Sequence, residues 1–267
     1  MSRPEGSVPR DPPTAAPVPP CGLESLWAVR HGQSTANVAF AAAAAAGSTA
    51  PLAGRDRDVA LSPLGVRQAE ALGRRLAALD AEGGPDLVVC SPYLRARRTW
   101  QVMRRTAAAQ GGPRPPASSA CPTPRVPPAR RTVVDERLRD REMGVFELHP
   151  PSVVRARSPE EAARRALSGE WHYRPPGGEA LTDVALRVGQ FLSDLCRAAP
   201  GRRVLLVAHD SVLVALRHVL AGTGAVPSEE LPPVPNASLS HWESDGRALR
   251  LRTWGDTAHL PPPGPAD

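Results

Sequence analysis

Leu26-Trp27-Ala28-Val29-Arg30-His31-Gly32 is a short apolar run that breaks off at a charged turn. A strand buried on both faces reads this way, because a parallel sheet covered by helices shows polar residues only where its strands end. Two further stretches repeat the pattern. Asp86-Leu87-Val88-Val89-Cys90 gives way to Ser91-Pro92, and Val204-Leu205-Leu206-Val207-Ala208 gives way to His209. Thr132-Val133-Val134 adds a brief fourth strand.

Segments of helical spacing fall between these strands. Ser62-Pro63 is a cap with proline at the first helical position, followed by Ala69, Leu72, Leu76 and Leu79 on one face. Ser91-Pro92 repeats that signal ahead of Arg95, Arg97 and Arg98. Leu181, Val184, Val188, Phe191 and Leu195 keep the same spacing, as do Val212, Leu213, Leu216, Val219 and Leu220. Ala41 to Ala46 is of low complexity and reads equally as a helix end or an insertion. Ala237 to Trp242 and Ala248 to Trp254 flank Asp245-Gly246 as a terminal hairpin. Strands alternating with helices predict an α/β fold: a three-layer sandwich whose central sheet is mostly parallel and flanked by helices, with ligands bound at the carboxyl ends of the strands. Gly32 is read as the residue that lets the chain turn after His31.

A chain of 267 residues is long enough for one such domain. It is expected over 23–256, with proline-rich disordered tails at 1–22 and 257–267 and a Pro/Arg-rich surface loop inserted at 111–131. The formal charge is +6, and the sequence contains no lysine. That excludes a P-loop and leaves planar arginine forks as the available phosphate clamps. Aromatic residues make up only 4%, too few for a basic stripe with interleaved stacking platforms, so no nucleic-acid partner is expected. Cys21, Cys90, Cys121 and Cys196 form no C-x-x-C pair. Neither a zinc site nor a dense disulfide scaffold is indicated, and a reduced, cytoplasmic setting is the simpler reading. No run approaches the roughly 18 apolar residues of a membrane span.

Phosphoryl transfer without a metal needs a nucleophile, cations for the charge spreading over the phosphoryl oxygens, and an acid for the departing alcohol. His31 suits the first role if one ring nitrogen is pinned to backbone, so that the other keeps its lone pair. Arg30 and Arg95 suit the second, with protonated His209 as a further donor.

Arg30-His31-Gly32-Gln33-Ser34-Thr35-Ala36-Asn37 resembles the R-H-G-[EQ]-S-x-x-N signature of the histidine phosphatase, or phosphoglycerate mutase-like, superfamily (branch 1). Leu61-Ser62-Pro63-Leu64-Gly65-Val66-Arg67-Gln68-Ala69 is similar to that family's L-[ST]-x-x-G-x-x-Q-A helix start, and Ser91-Pro92-Tyr93-Leu94-Arg95-Ala96 to its S-x-x-x-R-A stretch. Gly177-Gly178-Glu179 and the strand before His209 follow in family order, so the resemblance runs from about Leu26 to Trp254. It implies a phosphohistidine at His31 and a phosphate pocket of Arg30, Arg95 and His209. Asn37 and Ser211 join these as substrate contacts, Asn37 reading equally well as a helix cap. No cofactor and no metal is implied.

The resemblance places the general acid at glutamate in L-x-E-x-x-x-G, where this chain has Leu138-Arg139-Asp140-Arg141-Glu142-Met143-Gly144. Asp140 fills the position one methylene short, with Glu142 as a neighbour that can take part. His209-Asp210 is instead similar to the acid-phosphatase and phytase branch, which makes Asp210 the rival acid. The expected activity is a metal-independent phosphomonoesterase acting on small phosphorylated metabolites. Mutase-type transfer to phosphoglycerate and a catalytically weak relative that binds phosphorylated ligands are the alternatives. Cys90 fails the cysteine-phosphatase spacing, since Ala96 stands where arginine is needed. His209-Asp210 lacks the further ligands of a metal-dependent phosphohydrolase. Oligomeric state is left open.

Overall fold

The computed structural model describes residues 19–47, 50–81, 83–110, 131–222 and 233–261. Six strands form one sheet: β1 (Ser25–Arg30), β2 (Leu87–Cys90), β3 (Arg131–Val134), β4 (Arg203–Ala208), β5 (Leu239–Ser244) and β6 (Leu249–Asp256). Their order is β3-β2-β4-β1-β5-β6. The pairings β3 with β2, β2 with β4 and β4 with β1 are parallel, whereas β5 and β6 run antiparallel at one edge. The two strands expected to be most deeply buried, β1 and β4, are therefore neighbours at the centre.

Alternate residues of these strands feed two cores. Leu26 and Ala28 of β1, with Val204, Leu206 and Ala208 of β4, face α6 (Leu181–Ala198) and α7 (Asp210–Ala221), meeting Val184, Val188, Phe191, Val212 and Leu216. Trp27, Val29, Leu205 and Val207 point the other way, toward Leu72 and Leu76 of α2 (Pro63–Ala81) and Trp100 and Met103 of α3 (Leu94–Gln110). A strand whose every residue is claimed by one layer or the other has no polar side to offer, which is why its sequence is a continuous apolar run. The three-layer sandwich expected from the sequence is the observed architecture.

Local differences have physical causes. Ser62 does cap α2, its Oγ accepting from the Gly65 N–H at 3.0 Å. Ser91 does not cap α3 in the same way. That helix starts at Leu94, and the Ser91 hydroxyl is spent on the Tyr93 N–H and on His209. Gly32 is needed not for a turn but for close packing, because a Cβ there would lie 2.5 Å from the Gly65 carbonyl oxygen. The segment 151–172, not resolved into elements by apolar spacing, forms α4 (Pro151–Arg157) and α5 (Pro159–His172). Ser158-Pro159-Glu160-Glu161, a serine before proline and two acids, is the start signal that marks α5. The alanine run belongs to α1 (Thr35–Ala46).

The tails are shorter than composition suggested. Cys21 is buried and forms a disulfide with Cys196 of α6, which corrects the expectation of four reduced thiols. At the other end His259 Nε2 lies 2.9 Å from the Ala237 carbonyl oxygen, and Leu260 packs on the α2–α3 core. Of the expected loop at 111–131, Arg131 opens β3, and the rest lies outside the described residues. Among the described residues no helix is long and apolar enough to cross a membrane.

Candidate active site

Three neighbouring parallel strands end side by side and each hands over one polar residue. His31 follows β1, His209 follows β4 and Ser91 follows β2. The backbone continues the sheet pattern for one more step, His31 N–H donating to Ala208 O and Ser91 N–H to Val207 O, both at 2.9 Å. The side chains are thus set by the sheet and not by a loop. His31 and His209 are 2% and 0% exposed, with ring centroids 5.1 Å apart.

The His31 ring is fixed in one tautomer. Nδ1 lies 2.7 Å from the Gly32 carbonyl oxygen, which can only accept, so Nδ1 carries the proton and Nε2 the lone pair. Arg95 Nε donates to that Nε2 at 3.2 Å. Burial, then Arg95, His209 and Arg30, push the His31 pKa well below the ordinary histidine value. This is the neutral, pinned imidazole that nucleophilic attack requires.

Arg95, 3% exposed, reaches in from the first turn of α3. Its Nη2 donates to Asp140 Oδ2 at 2.8 Å and to Asp56 Oδ2 at 3.0 Å. Asp140 lies on the loop after β3 and is held from several sides: Ser211 Oγ and the Arg141 N–H donate to its Oδ1 at 2.7 and 2.8 Å, and His209 Nδ1 lies 3.2 Å from its Oδ2. Burial raises the Asp140 pKa, but His209, Arg95 and Ser211 outweigh it and the carboxyl sits well below its usual range. His209 Nε2 takes the Ser91 hydroxyl at 2.7 Å. Burial lowers the His209 pKa, Asp140 opposes and Arg95 adds to the lowering, with a downward net result. Its burial favours a neutral ring over the protonated one expected from sequence, with Nδ1 close to Asp140 Oδ2 but without a hydrogen-bond partner among the described residues.

The remaining sequence candidates divide between pocket, scaffold and rim. Arg30 is mostly buried, donates through Nη1 to Val234 O and keeps Nη2 3.7 Å from Asp210 Oδ2, while its buried Nε has no hydrogen-bond partner among the described residues. Asn37 is a cap: its Oδ1 accepts from Ser34 N–H at 3.0 Å while Ser34 Oγ accepts from Asn37 N–H at 3.1 Å. Ser211 serves Asp140, as above. Glu142 is half exposed and pairs with Arg139 at 3.1 Å. Asp210 lines the cavity beside Arg30, its side chain 39% exposed. Cys90 is a buried thiol whose pKa burial pushes up to about 12, far from a reactive thiolate.

Of the two groups that hold the Asp140 loop, Glu179 stands in a stretch marked in the sequence, whereas sequence reasoning missed Arg187. Arg187 of α6, 8% exposed, donates to the carbonyl oxygens of Arg137 and Asp140 at 2.6 and 3.1 Å and pairs with Glu179 at 2.9 Å. Glu179, at the Gly-Gly-Glu stretch, also binds Arg139 at 2.7 Å. The signal was an arginine on the apolar face of an otherwise regular amphipathic helix.

A cavity of about 950 Å³ opens directly outside these groups, lined by Asp56, Tyr93, Asp140, Asp210, Ser211 and Val234 among others. His31, Asp140 and His209 bring ligand atoms within 4.8 Å of one another, a donor set that can hold a metal ion. Arg95 already contacts two of those three residues, and a guanidinium there opposes a second cation on simple Coulomb grounds.

Comparison with known proteins places the chain among enzymes of one family. A probable phosphoglycerate mutase GpmB of Erwinia tasmaniensis is 30% identical over 244 residues, covering 88% of this chain and 94% of the relative. A mycobacterial glucosyl-3-phosphoglycerate phosphatase, solved in complex with VO3, has a TM-score of 0.64 at 25% identity, covering 86% of this chain and 98% of that one. The alpha-ribazole phosphatase of Shigella flexneri, at 21% identity, shares the fold with a TM-score of 0.63 over 87% of this chain and 96% of that one. The sequence profile of the histidine phosphatase superfamily (branch 1) matches residues 26–111 and 126–257. The chain belongs to that superfamily of phosphatase and mutase enzymes.

Proposed function

We propose that the protein is a metal-independent phosphomonoesterase acting on small phosphorylated metabolites through a phosphohistidine at His31. The observation that carries this is the His31 tautomer, in which Nδ1 is held by the Gly32 carbonyl and Nε2 keeps a lone pair that accepts from Arg95 Nε until a phosphoryl oxygen takes over that N–H. In the first step Nε2 forms a bond to phosphorus, the bond from phosphorus to the ester oxygen breaks, and the departing oxygen takes a proton from a carboxyl group. Arg30 and Arg95 hold the phosphoryl oxygens, and His209 joins them if the arriving dianion draws a proton onto its ring. In the second step water attacks phosphorus, its proton passes to the same carboxylate, and the electron pair of the N–P bond returns to Nε2.

Asp140 is the better candidate for that carboxyl because it shares Nη2 of Arg95 with the space beside His31, whereas Asp210 faces Arg30 from the rim. A phosphoryl dianion arriving on Arg95 takes over the guanidinium and repels the carboxylate, which raises the Asp140 pKa toward that of a working acid. Asp210 remains the rival.

The substrate's alcohol moiety occupies the cavity, whose wall includes Phe40, Met143 and Val214. Of the lining arginines, Arg139, Arg141 and Arg165 are each paired with an acid, whereas Arg55 and Arg57 are exposed cations able to meet a glycerate carboxylate, so the mutase reading stands as the alternative. A cytoplasmic setting has the Cys21–Cys196 bond against it, since such bonds persist in oxidising compartments.

The test is release of inorganic phosphate from p-nitrophenyl phosphate and from sugar, nucleotide and glycerate phosphates, with chelator present, for the wild type and His31→Ala. Turnover that survives chelator and vanishes in the variant supports the proposal. An active His31→Ala enzyme contradicts it, and saturable binding without turnover moves the reading to a phospho-ligand-binding relative.

A further inference from the structure

We propose that Asp56 is a positioning residue that aims Arg95 at the phosphoryl group, an inference that rests on the reading of His31 and Arg95 given above. Every N–H of the Arg95 guanidinium has an acceptor. Nε donates to His31 Nε2 at 3.2 Å, Nη1 to Asp56 O and Asp56 Oδ1 at 2.6 and 3.0 Å, and Nη2 to Asp56 Oδ2 and Asp140 Oδ2 at 3.0 and 2.8 Å. These contacts sort onto two edges of the planar fork. The edge made by Nε and Nη2 faces His31 and Asp140, where the phosphoryl oxygens are to be held. The opposite end, Nη1 with Nη2, is gripped by both carboxylate oxygens of Asp56 and by its backbone carbonyl.

A bidentate carboxylate on one end of an arginine fixes the plane and direction of the other edge. Without it the guanidinium loses both contacts that set its plane from the far end, and only Asp140, the Asp56 carbonyl and the Tyr93 ring, 4.9 Å away, remain to keep Nε on His31. The Arg95 side chain is 4% exposed and that of Asp56 24%, so this is not one of the surface pairs that contribute little. Asp56 is itself held. It opens the short turn Asp56–Asp58, and its N–H donates to Glu147 Oε1 at 2.7 Å. Four residues earlier Leu52 N–H donates to Leu148 O at 3.0 Å, so the two loops carrying Asp56 and Glu147 are joined across the rim. Unlike Asp140, Asp56 need not leave when a phosphoryl oxygen arrives, because it occupies the edge turned away from His31.

The experiment uses the full chain carrying Asp56→Asn, which keeps the side chain's shape, with Arg95→Lys and the double variant beside it. The His31 titration is followed by NMR, and kcat and KM are measured on an alkyl phosphate. If Asp56 aims Arg95, the guanidinium drifts from His31 in Asp56→Asn, the His31 pKa rises, and kcat falls about 10- to 100-fold. The double variant is then within about twofold of Arg95→Lys, since both changes act through one side chain. A His31 pKa that falls or stays put, a kcat within twofold of wild type, or losses that multiply in the double variant would each overturn the proposal. Failure of the phosphatase reading is seen separately, as wild-type protein without His31-dependent turnover, and the NMR titration then still decides whether Asp56 holds Arg95 against His31.

Discussion

The floor and the rim of the cavity are built in different ways. On the floor, His31, His209 and Ser91 sit one residue beyond three parallel strands, with the backbone of His31 and Ser91 fixed by hydrogen bonds of the sheet pattern and that of His209 by the first turn of α7. On the rim, Asp56, Glu142 and Glu147 stand on short turns after α1 and after β3, held by side-chain contacts: Glu147 on the Asp56 N–H, Asp56 on Arg95 and Glu142 on Arg139. Strand ends hold a reacting atom to within tenths of an ångström, whereas loops can change sequence without disturbing the sheet. The difference places the nucleophile on the floor and the choice of alcohol on the rim, with Asp56 the rim residue that reaches back to Arg95.

The largest expected effect attacks the floor directly. His31→Ala should lower turnover by on the order of 10⁴-fold or more, with the far-ultraviolet circular dichroism unchanged, because the proposed reaction passes through a phosphoryl bond to His31 Nε2. Next is the loop that meets the floor. Asp140→Asn should reduce kcat on an alkyl phosphate about 10²- to 10⁴-fold and much less on p-nitrophenyl phosphate, whose leaving group needs little help from an acid. Asp210→Asn should cost less than about tenfold on either substrate. A reversal of that order would make Asp210 the acid.

A pH profile sharpens the same comparison. The folded-state pKa of His31 lies below the ordinary value of 6.5, so the neutral, nucleophilic ring persists as pH falls through that value. The acid limb of kcat/KM should therefore break well below the ordinary histidine range. For stability the sign follows from the same direction: below about pH 6.5 the unfolded chain takes up protons that buried His31 and His209 refuse, so stability present at neutral pH is lost as pH falls. Guanidinium titrations at pH 7.5 and 5.5 measure this.

Two smaller effects concern the frame. Cys196→Ser removes the Cys21–Cys196 bond and should cost about 2–4 kcal/mol of unfolding free energy with kcat little changed, since Cys21 and Cys196 line a separate cavity against α6. Asn37→Ala should cost about 1 kcal/mol through loss of the Ser34–Asn37 capping box and leave KM within about twofold. A large rise in KM would instead place Asn37 on the phosphate.

What the sequence revealed follows the same division. β1 and β4 were legible because residues buried on both faces must all be apolar, and His31 and His209 stood out because each ends such a run. Asp140 was found through its register in a resembling motif. Asp56 was not, because its partner Arg95 is 39 residues away and one acid among several in Arg55-Asp56-Arg57-Asp58 carries no local mark. Ser91 was misread because serine before proline is also a cap signal, and Gly32 because close approach of two backbones leaves no trace in sequence except the glycines themselves. The disulfide escaped because spacing cannot tell which of four cysteines meet after folding.

The central claim is that the phosphoryl group rests on His31. The most direct measurement is intact mass and peptide mapping of protein mixed with an aryl phosphate and quenched in base within milliseconds, with His31→Ala alongside. The account predicts a single phosphoryl adduct on the peptide containing His31, stable to base and lost in acid, and none in the variant. An adduct on another residue, or wild-type turnover with no adduct under conditions where dephosphorylation is slow, would contradict it.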